Sequence, residues 1–314
     1  MTILSYLLSE PSADHEKSRE LLNNLFNLSE VECAALEILA ATASHDFVCE
    51  AISTDIKAHF ANPILVSQTA KAQYVFYFQF ILGVLFHYRG QVIDRELLVD
   101  HLHKLLVNGI EPAEASTIPE VDASFIRGSY VLPEQTPHHD LMNACLTCVA
   151  ENGFSATTTK MIAKTALVSE GKLFAYFPTK LDLFLEAMSH QIENGFATNF
   201  KEISKWNEQF GAGISAAILI REYQREGIDI ERAVQVEFLR LAWHRPDMFE
   251  KRLQHVNKAL IEIGVASIEK ISPEQDVEML LSVASTSGAI IVARLDRDAY
   301  KLPYAVVTQK IFGI

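Results

Sequence analysis

Positive charge is what this sequence has least of. Its 27 Lys and Arg face 40 Asp and Glu, a formal charge of −13. Phosphate affinity comes from counterions released by Lys and Arg, so this balance excludes non-specific coating of nucleic acid, and any DNA contact must be local. Cysteine is scarce as well: four residues without regular spacing exclude a disulfide framework and fit a reducing compartment. With 13 Gly and 10 Pro in 314 residues, few points interrupt the periodic stretches, which predicts long helices. The longest apolar run, Tyr74 to Phe86, is broken by Gln79 and falls short of the roughly 20 residues a bilayer span needs. The start, MTILSYLLSEPSADHEK, has no basic region ahead of its few apolar residues, so a secretory signal is not expected and the expected location is the cytoplasm, with no membrane contact. A nucleophile elbow, a phosphate-cradling Gly loop and a zinc-protease helix are also missing, so neither an enzyme nor a cofactor is expected.

What is present is apolar residue in helical rhythm. Apolar residues make up 49% of the chain against 21% charged, which excludes disorder, and the length fits about two domains. The expected fold class is all-α. Pro112, Pro119, Pro133 and Pro137 punctuate a mixed, acidic stretch, which places a linker at 111–138. Before it, periodicity predicts helices at Ser18–Asn27, Glu30–Ala43, Asp46–Phe60, Val66–Tyr88 and Asp94–Asn108, the last stopped by Gly109. The expected organisation is an N-terminal helical domain over 1–110, the linker, a short-helix module over 139–185, and a C-terminal helical domain over 186–314.

The two helical regions resemble each other. Leu36-Glu37-Ile38-Leu39 followed by Ser44-His45-Asp46-Phe47 has a counterpart in Val236-Glu237-Phe238-Leu239 followed by His244-Arg245-Pro246-Asp247-Met248. Each half then runs through a long apolar helix reaching Arg89 or Arg294, a polar turn and a last helix, ending Asn108-Gly109-Ile110 and Phe312-Gly313-Ile314. Shared order and spacing predict a duplicated helical domain. Only the second copy has the short-helix module in front of it.

That module carries the chemistry. In residues 139–190, Leu141, Ala144, Cys145, Cys148 and Val149 form one apolar face of a first helix that stops at Asn152-Gly153. Thr157, Thr158 and Thr159 precede Met161-Ile162-Ala163, so a threonine can cap a second helix whose free N–H groups suit a phosphate. Ser169 opens a third helix, Glu170 to Phe177, ended by Pro178, with Leu173 and Phe177 inward and Lys172 and Tyr176 on another face. Two short helices joined by a tight turn make a helix-turn-helix, whose second helix fits the major groove.

The order NGFSATTTKMIAKTALVSEGKLFAYFPTKLDLF resembles the DNA-binding module of tetracycline-repressor (TetR) family regulators along its whole length. The shared features are Gly-aromatic before the second helix, the Thr cluster, Ile-Ala, Ser169, Gly171, the Leu-aromatic-x-Tyr-Phe run and Lys180. The resemblance implies that Thr158, Phe174, Tyr176 and Lys180 hold the phosphate backbone while Gly171 and Lys172 face base edges; Thr157 and Ser169 at the helix starts are expected beside the phosphates, and Glu170 puts a negative charge there that suits DNA only where it accepts from a cytosine N4. Leu167 stands where the family's turn usually has Gly, Phe174 lacks a hydroxyl, and 139–190 holds four Lys and no Arg against five acidic residues. The implied function is a sequence-specific transcriptional regulator of a double-stranded DNA operator, a repressor relieved by a small-molecule effector. It would work as a homodimer or as a pseudo-dimer within one chain. The alternative is a non-DNA-binding interaction protein with a decayed helix-turn-helix.

Other notable residues have plainer readings. Cys145 and Cys148 have half a zinc spacing without a second pair and read as core. The pairs His138-His139 and His101-x-His103 read as solvated. Trp206, Tyr223, Phe238 and Trp243 read as core, or as the lining of an effector pocket. Glu222, Glu226, Asp229 and Glu231 read as a solvated face.

Overall fold

The computed structural model describes residues 15–41, 46–60, 67–89, 93–108, 113–114, 116–128, 136–225, 229–245, 247–248 and 272–312. Among them every regular element is helical, which establishes the all-α class. The N-terminal helices are α1 (His15–Leu25), α2 (Glu30–Ala41), α3 (Asp46–Phe60), α4 (Gln68–Tyr88) and α5 (Arg95–Asn108). A short α6 (Ser124–Gly128) precedes the module, formed by α7 (Pro137–Ala156), α8 (Thr159–Thr165), α9 (Glu170–Tyr176) and the start of α10 (Lys180–Phe210). The chain ends in α11 (Ala212–Gln224), α12 (Asp229–His244), α13 (Pro273–Leu295) and α14 (Ala305–Phe312). The Gly109 stop, Ser44-His45 and Pro246 of the repeat, its closing Gly-Ile pairs, Pro112 and Pro133 of the linker, and Glu226 lie outside the described residues.

Local chemistry explains most helix starts. Ser29 and Glu32 form a reciprocal capping box ahead of α2: the Ser29 N–H donates to the Glu32 carboxylate at 2.9 Å and the Glu32 N–H to Ser29 Oγ at 3.3 Å. Ser67 caps α4, and Asp94 caps α5 through the Leu97 N–H.

The centre of the molecule is the packing of α4 on α13. Helix α4 is buried nearly all round, with Val75, Phe76, Phe80 and Phe86 inaccessible, and it packs on α13, whose Ile290, Ile291 and Val292 are buried as well. The two backbones approach too closely for a side chain at two points. A Cβ on Gly83 would stand 1.8 Å from the Ala284 carbonyl oxygen, and one on Gly288 1.7 Å from that of Gln79. Helix α5 lies against α13, α14 lies against α4, and α5 and α14 touch each other. The larger of two hydrophobic cores among the described residues therefore runs from Leu22 to Ile311 and includes the helices of the module. Gln224 joins the two halves inside it, donating to Gln79 Oε1 at 2.9 Å and to the Tyr304 hydroxyl at 3.1 Å.

The connecting stretch is packed. Arg221 donates to the carbonyls of Ile118 (3.1 Å) and Pro119 (2.7 Å), Arg225 holds Glu120 at 2.8 Å, and Phe125 rests on Trp206 in a small second core. Arg221 also pairs with Glu222 at 2.9 Å. Glu222 is thus a buried, paired carboxylate rather than part of a solvated face, because two arginines of the same helix turn compensate its desolvation.

Candidate nucleic-acid interface

The module is built on the apolar face of α7. Leu141, Cys145 and Val149 are inaccessible and Cys148 nearly so, which places both cysteines in the core; burial holds the Cys145 thiol far above its ordinary range. Thr136 caps α7 ahead of Pro137 in its first turn, and Gly153 breaks the helix at φ +73°, ψ 157°. His138 is not a free solvated residue. Its ring stacks on Phe177 at 4.8 Å, and its Nε2 lies 3.0 Å from Glu186.

The three threonines separate after the break at Gly153. Thr157 turns inward, 1% exposed, and its hydroxyl is shared between the carbonyls of Cys148 (2.9 Å) and Gly153 (2.8 Å). It closes the end of α7 from inside, so its expected place at the phosphate backbone does not agree with the geometry. Thr158 is exposed and caps α8 by accepting from the Met161 N–H at 3.2 Å. Thr159 donates to Glu170 Oε2 at 3.1 Å, tying the second helix of the module to the third.

Between those helices the turn passes through Leu167 at φ +56°, the left-handed region where a Cβ is strained, with the side chain 92% exposed. Ser169 then caps α9 through the Lys172 N–H at 3.2 Å. Leu173 and Phe177 anchor α9 to the core, while Ser169, Glu170, Gly171, Lys172, Phe174 and Tyr176 are exposed, as are Thr158, Lys160 and Lys164. Seven of the nine expected contact residues are thus exposed to solvent.

Lys180 is the other departure. Its ammonium donates to the carbonyls of Phe154 and Thr157, both at 2.6 Å, and sits 4.2 Å over the Phe154 ring. Burial lowers its pKa from 10.5. The lysine satisfies carbonyls left free after the Gly153 break, so its charge is engaged within the protein.

The sequence reading missed what holds the module to the helical body. Glu237 on α12, 1% exposed, accepts from the Phe154 N–H at 3.0 Å and from Arg240 Nη2 at 2.9 Å. Arg240 also reaches Ser155 Oγ (3.4 Å) and Glu37 of α2 (3.6 Å), and Glu37 in turn meets His244 at 2.9 Å. A cleft of about 320 Å³ opens here, lined among others by Glu37, Ile38, Asn152, Gly153 and Arg240. The i, i+3 spacing of Glu237 and Arg240 was the available signal, but it points only along their own helix.

The family model for bacterial regulatory proteins of the tetR family matches residues 141–187. Residues 141–187 are a TetR-family module. The TetR match ends within α10, beyond the three short helices. Two nucleoid occlusion factors SlmA, from Actinobacillus pleuropneumoniae serotype 5b (strain L20) and serotype 3 (strain JL03), are 36% identical over 85 residues, 26% of this chain and 41% of their own length. The chain thus spans about two fifths of the length of the curated relatives it matches. A crystal structure of the transcriptional regulator FadR from Bacillus subtilis in complex with stearoyl-CoA covers 56% of this chain and 98% of its own, with 18% identity and a TM-score of 0.36, too low to support a conclusion. The likeness to the TetR family therefore rests on residues 141–187.

Proposed function

We propose that this chain is a sequence-specific DNA-binding transcriptional regulator rather than an enzyme, with α9 as the helix that enters the major groove. The observation that carries the reading is Gly171. A Cβ there would meet nothing nearer than Ser169 Oγ at 3.9 Å, so no packing within the protein requires glycine. A glycine within a helix costs about 0.5–1 kcal/mol relative to alanine. Its value lies in what approaches from outside: without a Cβ, the backbone of α9 can come close to a base edge. Lys172, next to it and exposed, can donate to guanine O6 or N7, while Thr158, Ser169, Phe174 and Tyr176 flank it at the level of the phosphates.

In this reading the protein is a repressor released by a small molecule that shifts the helical body. Such a shift would reach the module through Glu237, whose carboxylate joins α12 to the backbone at Phe154.

Selection of bound sequences from a random duplex pool at low salt, with the native chain, Gly171→Ala and Lys172→Ala, tests the proposal. Gly171→Ala is expected to stabilise the fold by about 0.5–1 kcal/mol and to weaken binding to the selected duplex by tenfold or more. Lys172→Ala is expected to relax the motif at one base pair. Gly171→Ala binding as tightly as the native chain would remove the reason given for the glycine. Absence of any enriched motif would leave an interaction protein with a decayed module as the better account.

A further inference from the structure

We infer that this chain is its own dimerisation partner and reads a single DNA half-site as a monomer; the second clause rests on the DNA-reading function proposed above. The contact of α4 with α13 has the form of a two-fold interface. Gly83 meets the backbone at Ala284, and Gly288 meets the backbone at Gln79. The same sequence offset relates Gln79 to Ala284 and Gly83 to Gly288. Position i of one helix touches position j of the other, and j touches i, which is the reciprocity of an isologous contact between identical subunits. Here two different segments of one polypeptide make it.

The neighbouring helices follow the same exchange. α5 packs on α13 as α14 packs on α4, and α5 and α14 meet across the same axis. Nearer the module, the repeat positions Glu37 and Glu237 both converge on Arg240. The resemblance between the two halves of the sequence is thus matched by a reciprocal arrangement in space.

Among the described residues, this pairing leaves no large apolar side chain exposed on those four helices for a second copy. The exposed large apolar residues among the described ones are Ile38, Phe47, Leu167, Phe174, Tyr176 and Ile230, and none lies on α4, α5, α13 or α14. A stable dimer through this bundle would need an apolar patch that is already buried inside the chain. The helix-turn-helix, in turn, occurs once among the described residues. A bundle that would present two reading heads if made by two identical subunits presents one, and a palindrome has no second head to meet its other half.

One head also limits the charge brought to the duplex. Lys180 is engaged internally, which leaves Lys160, Lys164 and Lys172 exposed on the module. Three neutralised phosphates correspond to a slope of log K against log salt of about −3.

The test combines the solution mass of the full chain at micromolar concentration with its stoichiometry on the duplex selected from the random pool. The expected results are a mass near the 35.1 kDa of one chain, an asymmetric motif without inverted repeat, one chain per duplex with a Hill coefficient of 1, and a salt slope of about −3 or shallower. A dimer in solution, or two chains binding an inverted repeat cooperatively, would overturn the inference and leave the DNA-reading proposal standing. Failure to select any motif would defeat the half-site with the function it rests on, while a monomeric mass would still support the internal pairing.

Discussion

Replacing Glu237 should detach the module from the helical body in graded steps. With Glu237→Ala, the part-buried Phe154 N–H loses its acceptor, which costs at most about 1–3 kcal/mol, and Arg240 loses its nearer carboxylate. Removing one member of a buried pair typically costs about 3–5 kcal/mol. The Arg240 side chain is 18% exposed and keeps Glu37 at 3.6 Å, so the lower end applies and the expected loss is about 3 kcal/mol. Glu237→Gln keeps an acceptor for Phe154 and gives up only the charge, about 1–1.5 kcal/mol. Glu37→Ala removes the more exposed and more distant partner and should cost about 0–1 kcal/mol. Urea unfolding measures the order of the three, and amide exchange at Phe154 reads the module end directly: protection should fall for Glu237→Ala and hold for Glu37→Ala. Equal losses in all three variants, or a Glu37→Ala loss larger than that of Glu237→Gln, would refute the view that the buried carboxylate is the tie.

Two further outcomes follow from local geometry. Leu167→Gly should raise stability by about 0.5–1 kcal/mol, because relief of the left-handed strain, roughly 1–2 kcal/mol, exceeds the added freedom of the unfolded chain; a lower thermal midpoint would show that the leucine side chain makes a stabilising contact. Glu120 titrates below its ordinary 4.5, chiefly through its hydrogen bond from Arg225. A carboxylate with a depressed folded value contributes stability above its unfolded value and loses it as pH falls through the folded one. Native protein should therefore exceed Glu120→Gln by about 0–1 kcal/mol at neutral pH, a small margin because Glu120 is 73% exposed, and the two unfolding midpoints should converge below pH 4.5. A gap that widens on acidification would contradict the assignment.

Helix positions were largely legible in the sequence because period and punctuation agree there. The expected Asp46–Phe60 helix matches as it stands, and the helices ending at Tyr88 and Asn108 differ only in their first residues, where Ser67 and Asp94 act as caps. The exposed face of α9 was legible for the same reason, since Leu173 and Phe177 fix which side of a short helix turns inward. Thr157 and Lys180 were not. Three consecutive threonines are equivalent on paper, and the backbone turn after Gly153 decides which one closes α7. That the carbonyls of Phe154 and Thr157 point at Lys180 is a property of the same turn. The pairing of α4 with α13 depends on partners far away in sequence, which one helix's periodicity does not report, and Glu222 is buried with Arg221 and Arg225 beside it on its own helix turn.

The close approaches of Gly83 to Ala284 and of Gly288 to Gln79 also bear on how such a molecule can change. In an assembly of two identical subunits every substitution at the interface appears twice, so a residue that suits one side must suit both. A chain that carries both sides encodes each position independently. The effect is visible where Gln79 Oε1 accepts from the Gln224 amide while the corresponding Ala284 carries no polar side chain. One side of the bundle is free to acquire a polar interior, or a cavity for a ligand, without the other having to accept the same side chain.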